Sequence, residues 1–210
     1  MGDFEITMTL KPPFVVIRHG VTEEEFYRDA TEDSDWEYLD GRLFMHSPAS
    51  DRLEDHFRFL ITLLSTYLDE RGGAVVRGSR YPMRLDERWS PEPDLLVVRS
   101  DQRHRMTRTR LEGPANFVIE IASEGDPRFD IREKLPRYRE AGIEEIWVFD
   151  ASEQAIFVEA LESTGYVASR VNAGRLRSPV IPGFWIDVGW LWQEPLPPTL
   201  ACIREILAGG

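Results

Sequence analysis

Asp94, Glu120 and Lys134 are the residues of this chain whose types and order could do chemistry together. Asp94 follows Pro91-Glu92-Pro93 at the mouth of the apolar run Leu95 to Val98. Glu120 interrupts a second apolar run, Phe117 to Ala122. Short, continuously apolar runs of this kind read as strands buried on both faces. An aspartate opening one such strand and a glutamate inside the next supply what a magnesium site needs. They are hard oxygen ligands on rigid neighbours, with coordination positions left for water and phosphate. Lys134, on the helix expected next, could reach the same spot to orient or deprotonate a water, or to stabilise charge on a five-coordinate phosphorus. The residue type is itself informative, because the chain holds two lysines against 23 arginines. Lysine is a compact point charge with a tunable pKa, whereas arginine is a planar fork.

Each of these residues also has a plainer reading. Lys134 is spaced to pair with Asp130 at i,i+4 on a helix surface. Glu120 can form a buried ion pair with an arginine, or its 118/120/122 side of the strand can be solvated. Asp94 sits where a turn gives way to a strand, a common place for an acidic residue. A metal-free general acid/base pair, as in glycoside hydrolysis, would account for Asp94 and Glu120 but leaves Lys134 without a role.

The elements that must position these groups can be read in order. Val21 to Glu32 is acidic and compatible with a surface helix. Trp36 to His46 reads as a hairpin turning at Asp40-Gly41. Asp51 to Glu70 follows a helical period, with Leu53, Phe57, Leu60, Leu64 and Leu68 on one face, and Gly72-Gly73 ends it. Ala74 to Leu85 suggests a strand or bent strand pair. Pro136 belongs in the first turn of the helix that carries Lys134 and closes at Gly142. Ile146 to Asp150, Ala155 to Leu161 and Tyr166 to Val171 read as further strands, and the aromatic segment Val180 to Trp192 is expected to pack across the sheet.

Composition narrows the classes. The chain has 210 residues, 42% of them hydrophobic, with six tryptophans, enough for an ordinary core in one domain. A formal net charge of −12 argues against a protein that coats nucleic acid non-specifically, but not against a nuclease with locally gathered basic residues. One gathering exists: Arg99, Arg103, His104, Arg105, Arg108 and Arg110 directly follow the Asp94 strand. The lone cysteine, Cys202, fits a reducing compartment. The opening MGDFEITMTLKPP lacks the basic and apolar regions of a signal peptide, and no apolar run could span a bilayer. The expected location is the cytoplasm. Neither a Walker-type or dinucleotide-binding glycine pattern nor a Gly-x-Ser-x-Gly elbow is present.

Pro93-Asp94, followed one strand later by Glu120-Ile121-Ala122, resembles the PD-(D/E)XK nuclease superfamily. More narrowly, the chain resembles the Uma-two restriction-endonuclease family over roughly residues 22 to 192. The likeness runs through YLDGRLFMHSPAS, PEPDLLVV, FVIEIAS, FDIREKLPRYREAGIEEIWVFD and SPVIPGFWID, with Asp130, Lys134, Tyr138, Gly142 and Trp147 in the family's places. Two positions depart from the pattern. The superfamily's lysine two residues after the acidic residue is Ala122 here, and Lys134 on the following helix takes its part. Leu53 stands where the family often has histidine, with Glu54 beside it and His56 further along the helix.

The resemblance implies a restriction-endonuclease-like α/β fold, a mixed central sheet flanked by helices with an N-terminal helix and hairpin added, forming one nuclease domain over residues 1–210. It implies a metal-dependent endonuclease that hydrolyses DNA by metal-activated water and leaves a 5′-phosphate. Asp94, Glu120 and the backbone carbonyl of Ile121 would hold Mg²⁺, with Mn²⁺ as a substitute, and Lys134 would act on the water. Glu54 and Asp130 would supplement the site, and Arg103, Arg105 and Arg108 would contact nucleic acid. Duplex cleavage points to a two-fold homodimer. Two alternatives stay open: a nuclease-fold binding or assembly protein with weak or no catalysis, and a nuclease for structured RNA.

Overall fold

The computed structural model describes residues 11–31, 34–78, 80–122 and 129–209. The first ten residues, on which the leader reading rests, lie outside the described residues, as do Glu32 at the expected helix end and Ser123 in the matched run. In chain order the strands are β1 (Val15–His19), β2 (Trp36–Leu39), β3 (Arg42–His46), β4 (Ala74–Gly78), β5 (Met83–Arg84), β6 (Trp89–Ser90) and β7 (Leu95–Arg99). They continue as β8 (Leu111–Glu112), β9 (Phe117–Ile121), β10 (Glu145–Asp150), β11 (Ala155–Glu162), β12 (Gly165–Val171), β13 (Arg175–Arg177) and β14 (Trp185–Asp187). The helices are α1 (Glu23–Asp29), α2 (Asp51–Arg71), α3 (Leu135–Glu140) and α4 (Thr199–Gly209).

A six-stranded sheet in the order β12-β11-β10-β9-β7-β4 forms the centre, and a four-stranded sheet, β1-β3-β2-β6, lies beside it. β9 and β10 run parallel, joined through α3, while β7 is antiparallel to both β9 and β4. The central strands are mixed, as their apolar runs require, because both faces are covered. Phe117, Ile119 and Ile121 pack into one core with α2, α4 and the aromatic tail. Val118 and Ala122 pack into a second core with Leu135, Tyr138 and Ile146. The 118/120/122 side is therefore buried rather than solvated, and Glu120 is 1% exposed.

Local signals explain most boundaries. Thr22 and Glu25 form a reciprocal capping box at the start of α1. Asp40 and Gly41 both have positive φ, 52° and 73°, the geometry of a two-residue hairpin turn. Ser50 caps α2 and Gly72, at φ 71°, ends it. The buried face of α2 is broader than the expected stripe: it adds His56, Phe59, Leu63 and Tyr67, while Leu53 and Phe57 are only partly covered because they line a cavity. The Lys134 segment begins as one π-type turn, Asp130–Lys134, that runs into α3, with Pro136 in its first turn. β1 and α4 were not foreseen. α4 buries Cys202, Ile203 and Ile206 against the α2 side of the core. Among the described residues no helix is long and apolar enough to cross a membrane.

Candidate active site

Three elements deliver the predicted residues to one cavity of about 670 Å³. Asp94 stands immediately before β7, and Glu120 near the end of antiparallel β9, so the two strands place their carboxylates at the same edge of the sheet. A cross-strand brace fixes them. The Ile121 N–H donates to Asp94 Oδ2 at 2.6 Å, and the Asp94 N–H reaches Glu120 Oε2 at 3.4 Å. Lys134 enters from the helical segment that covers this side of β9, and Tyr138, one turn on, donates its hydroxyl to Glu120 Oε1 at 2.6 Å. Asp130, Ile121 and Glu54 line the same cavity, Glu54 as an exposed residue of the first turn of α2.

The ammonium of Lys134 meets three carboxylates: Asp130 Oδ1 at 2.9 Å, Glu37 Oε1 at 2.9 Å and Glu120 Oε2 at 3.1 Å. The i,i+4 partner expected on a helix surface is present, but both residues are buried. An ammonium has three N–H donors, and each has a carboxylate. Glu37 was not singled out in the sequence. It sits on β2 and is carried to Lys134 by the docking of the N-terminal sheet, where Phe44 packs on Phe129 at 5.2 Å just before Asp130. Its remaining contacts are His46 Nε2 at 3.0 Å and the Glu92 N–H at 2.9 Å.

Besides Asp35 and the exposed Glu54, five carboxylates line the cavity with one buried lysine: Glu37, Glu92, Asp94, Glu120 and Asp130. Their proton affinities diverge accordingly. Burial pushes the Glu37 carboxyl up, but the Lys134 charge and the His46 contact outweigh it and hold it at about 2. Burial raises Asp94 to about 7, opposed by Lys134 and the Ile121 N–H. Burial, with the charges of Asp130, Asp94 and Glu37, leaves Glu120 well above the usual carboxylate range despite Lys134. Burial and the neighbouring Glu37 lift Glu92 to about 9, and its Oε2 has no hydrogen-bond partner. Burial disfavours the Lys134 ammonium, yet Asp130, Glu120 and Glu37 keep its pKa well above normal.

This donor set fits a magnesium ion. Asp94 and Glu120 are hard oxygen ligands on adjacent strands, and Asp94 Oδ2, which accepts from Ile121, and Glu120 Oε1, which accepts from Tyr138, each keep a lone pair for a cation. Among the described residues no group of three or more His, Cys, Asp or Glu side chains is arranged to hold a metal ion. An open site of two carboxylates, a carbonyl and several waters is the usual form for magnesium.

Other predicted residues lie elsewhere. The basic residues after β7 occupy a 3₁₀ turn, Ser100–Arg105, and the loop beyond it. Because Asp94 precedes β7 and this turn follows it, the two are separated by the strand's length, about 17 Å for five residues. Arg103, Arg105 and Arg108 do not line the carboxylate cavity. Arg105 donates to Gln102 and to the Glu112 carbonyl, while Arg103 and Arg108 are exposed. His56 is turned to the core, between the carbonyls of Arg52 and Leu191. The residues that sequence reading missed are Glu37, Glu92 and His46. Only Glu92 had a local signal, its place in the Pro91-Glu92-Pro93-Asp94 entry to β7.

A mixed sheet that brings two carboxylates and a helix-borne lysine to one edge defines a nuclease-like α/β fold. The chain belongs to the family described as "Uma2: Putative restriction endonuclease", whose model matches residues 23–189. A crystal structure described as "a putative nuclease belonging to DUF820 from Anabaena variabilis ATCC 29413" shares the fold. It has a TM-score of 0.71 at 14% identity, covering 82% of this chain and 97% of that one. No curated protein matches the chain.

Proposed function

We propose that this chain is a divalent-metal-dependent endonuclease hydrolysing DNA phosphodiester bonds, its whole length forming one nuclease domain. The observation that carries the reading is the meeting of Asp94, Glu120 and Lys134, from three elements, on one cavity edge. Membership of a restriction-endonuclease family supports the nucleic-acid substrate and the use of a divalent ion. Asp94, Glu120 and the Ile121 carbonyl would hold Mg²⁺, or Mn²⁺ in its place. The ion would supply a more acidic bound water and charge neutralisation at phosphorus.

The protein's own groups do the positioning. The brace between Asp94 and Ile121 fixes the ligand edge, and Tyr138 orients Glu120 through Oε1. Lys134 keeps Glu37 ionised and holds Glu120 and Asp130 against it. Asp130 is the most exposed of its three partners, at 10% for the side chain, so the N–H on Asp130 is the one that can turn to an attacking water. Two such sites in a two-fold dimer would cut both strands of a duplex.

A second reading has its own support. All three Lys134 donors are engaged by carboxylates, an arrangement suited to a nuclease-fold binding or assembly protein without robust catalysis. Cleavage of supercoiled plasmid, linear duplex, single-stranded DNA and structured RNA with Mg²⁺, Mn²⁺ or EDTA separates the readings. The nuclease reading expects metal-dependent DNA cleavage that falls at least about 10²-fold in Glu120→Gln and in Lys134→Arg. RNA-only cleavage would replace the substrate, and absence of cleavage with retained polynucleotide binding would favour the binding module.

A further inference from the structure

His46 ends β3 on the wall of the same cavity and is the imidazole among the described residues that lines it. Its Nε2 lies 3.0 Å from Glu37 Oε2. Glu37 is a buried carboxylate whose other oxygen already takes Lys134 and the Glu92 N–H. An acceptor so placed requires Nε2 to carry the proton. Nδ1 is then the position that alternates between a lone pair and an N–H. No partner for Nδ1 exists among the described residues. The His46 side chain is 23% exposed where Glu37 is 3%, and Phe129 holds the ring edge-on at 5.8 Å.

A buried carboxylate behind one nitrogen, with the second nitrogen open, is the arrangement that lets an imidazole hand over a proton. The other proton carriers of the cavity are less suited. Lys134 has a carboxylate on each N–H, and the unpartnered Glu92 Oε2 is sealed from solvent. We infer that His46 is the general acid of this site, giving its Nδ1 proton to the ester oxygen that leaves phosphorus, and that Glu37 positions it. The assignment rests on the nuclease reading above and extends it to the leaving group.

The step balances. The water oxygen bonds to phosphorus as the bond to the ester oxygen breaks. The electron pair of the broken bond stays with that oxygen, which takes the Nδ1 proton. The water's surplus proton passes to solvent, from which His46 is reprotonated. The charges facing His46 are Glu37 on β2, Asp35 just before it and Lys134 across the cavity. Burial and Lys134 oppose the imidazolium, but the Glu37 contact and charge outweigh them and leave its pKa above the ordinary imidazole value, a shift that favours the acid form.

The test compares two substrates with Mg²⁺-loaded wild type and His46→Gln. Labelled duplex DNA has a basic leaving alkoxide that needs a proton. Bis(p-nitrophenyl) phosphate has a leaving phenolate that does not. His46→Gln is expected to lose about 10²- to 10⁴-fold in kcat on DNA. On the nitrophenyl ester it should stay within about threefold, which also shows that fold and metal site survive. The fall of wild-type kcat at high pH should likewise be confined to DNA. Equal losses on both substrates, or no loss on DNA, would overturn the assignment and leave the nuclease reading standing. A wild type that hydrolyses neither substrate would overturn both.

Discussion

The two ends of β7, β9 and β10 hold acidic residues in different ways. At the far end Arg99 makes a bidentate pair with Glu144, and Asn116 donates to the same carboxylate at 2.8 Å while accepting from the Arg99 N–H. Burial raises the Glu144 pKa, but these donors outweigh it and hold it below the usual range. At the cavity end five carboxylates gather around one lysine, and three of them, Glu92, Asp94 and Glu120, are driven towards their neutral form. One end is an ion pair closed on itself. The other holds more acid than its cation can satisfy, and such a surplus is what a site built for a further cation looks like.

Removing the cation at each end would sharpen that contrast, and the largest effect belongs to Lys134. In Lys134→Ala, Glu37, Glu120 and Asp130 lose the one cation they share. Loss of one partner of a buried pair costs about 3–5 kcal/mol. Thermal melts of the metal-free protein should show that loss, and Mg²⁺ should restore part of it by occupying the same carboxylates. Arg99→Ala should cost only about 1 kcal/mol, because Arg99 and Glu144 are each about a third exposed, and Mg²⁺ should restore nothing. Equal costs, or equal rescue, would erase the distinction between the ends.

Glu145 offers a smaller, pH-dependent test at the closed end. It is buried at the start of β10, where the Ser178 hydroxyl and the Val180 N–H donate to one of its oxygens. Burial nevertheless raises its carboxyl to about 7. The folded state therefore holds this proton more tightly than the unfolded chain, whose glutamate titrates near 4.5. The stabilisation is complete below that value and is lost as pH rises through about 7, up to about 3 kcal/mol in all. Glu145→Gln cannot ionise. Its stability relative to wild type should rise across that window, measured by urea unfolding at pH 5 and pH 8, and a constant difference would break the account.

What could be read from the sequence was what neighbouring residues encode. The apolar runs around Asp94 and Glu120, the Asp40-Gly41 turn and the first-turn Pro136 each fix a local conformation, and the structure has all of them. Lys134 was legible because lysine is so rare in this chain. Glu37 and His46 were not, since WEYL and RLFMH read as an ordinary hairpin. Their importance arises only when Phe44 and Phe129, far apart in sequence, bring the N-terminal sheet onto the Lys134 turn. The basic cluster shows the converse. Its nearness to Asp94 in sequence suggested a shared surface, but a residue before a strand and a residue after it stand at opposite ends.

That geometry sets the smallest expected effect. Arg105→Glu with Arg108→Glu reverses two charges at the closed end, about one strand's length, 17 Å, from Asp94. If substrate engages only the cavity edge, affinity for duplex DNA at moderate salt should change less than about threefold, because exposed charges beyond a Debye length of about 8–10 Å are largely screened. The slope of log affinity against log salt should also hold. A slope reduced by nearly one unit per lost phosphate contact would mean that the duplex runs along the sheet from one end to the other. The two ends would then divide the work, the basic turn gripping the backbone and the acidic cavity cutting it.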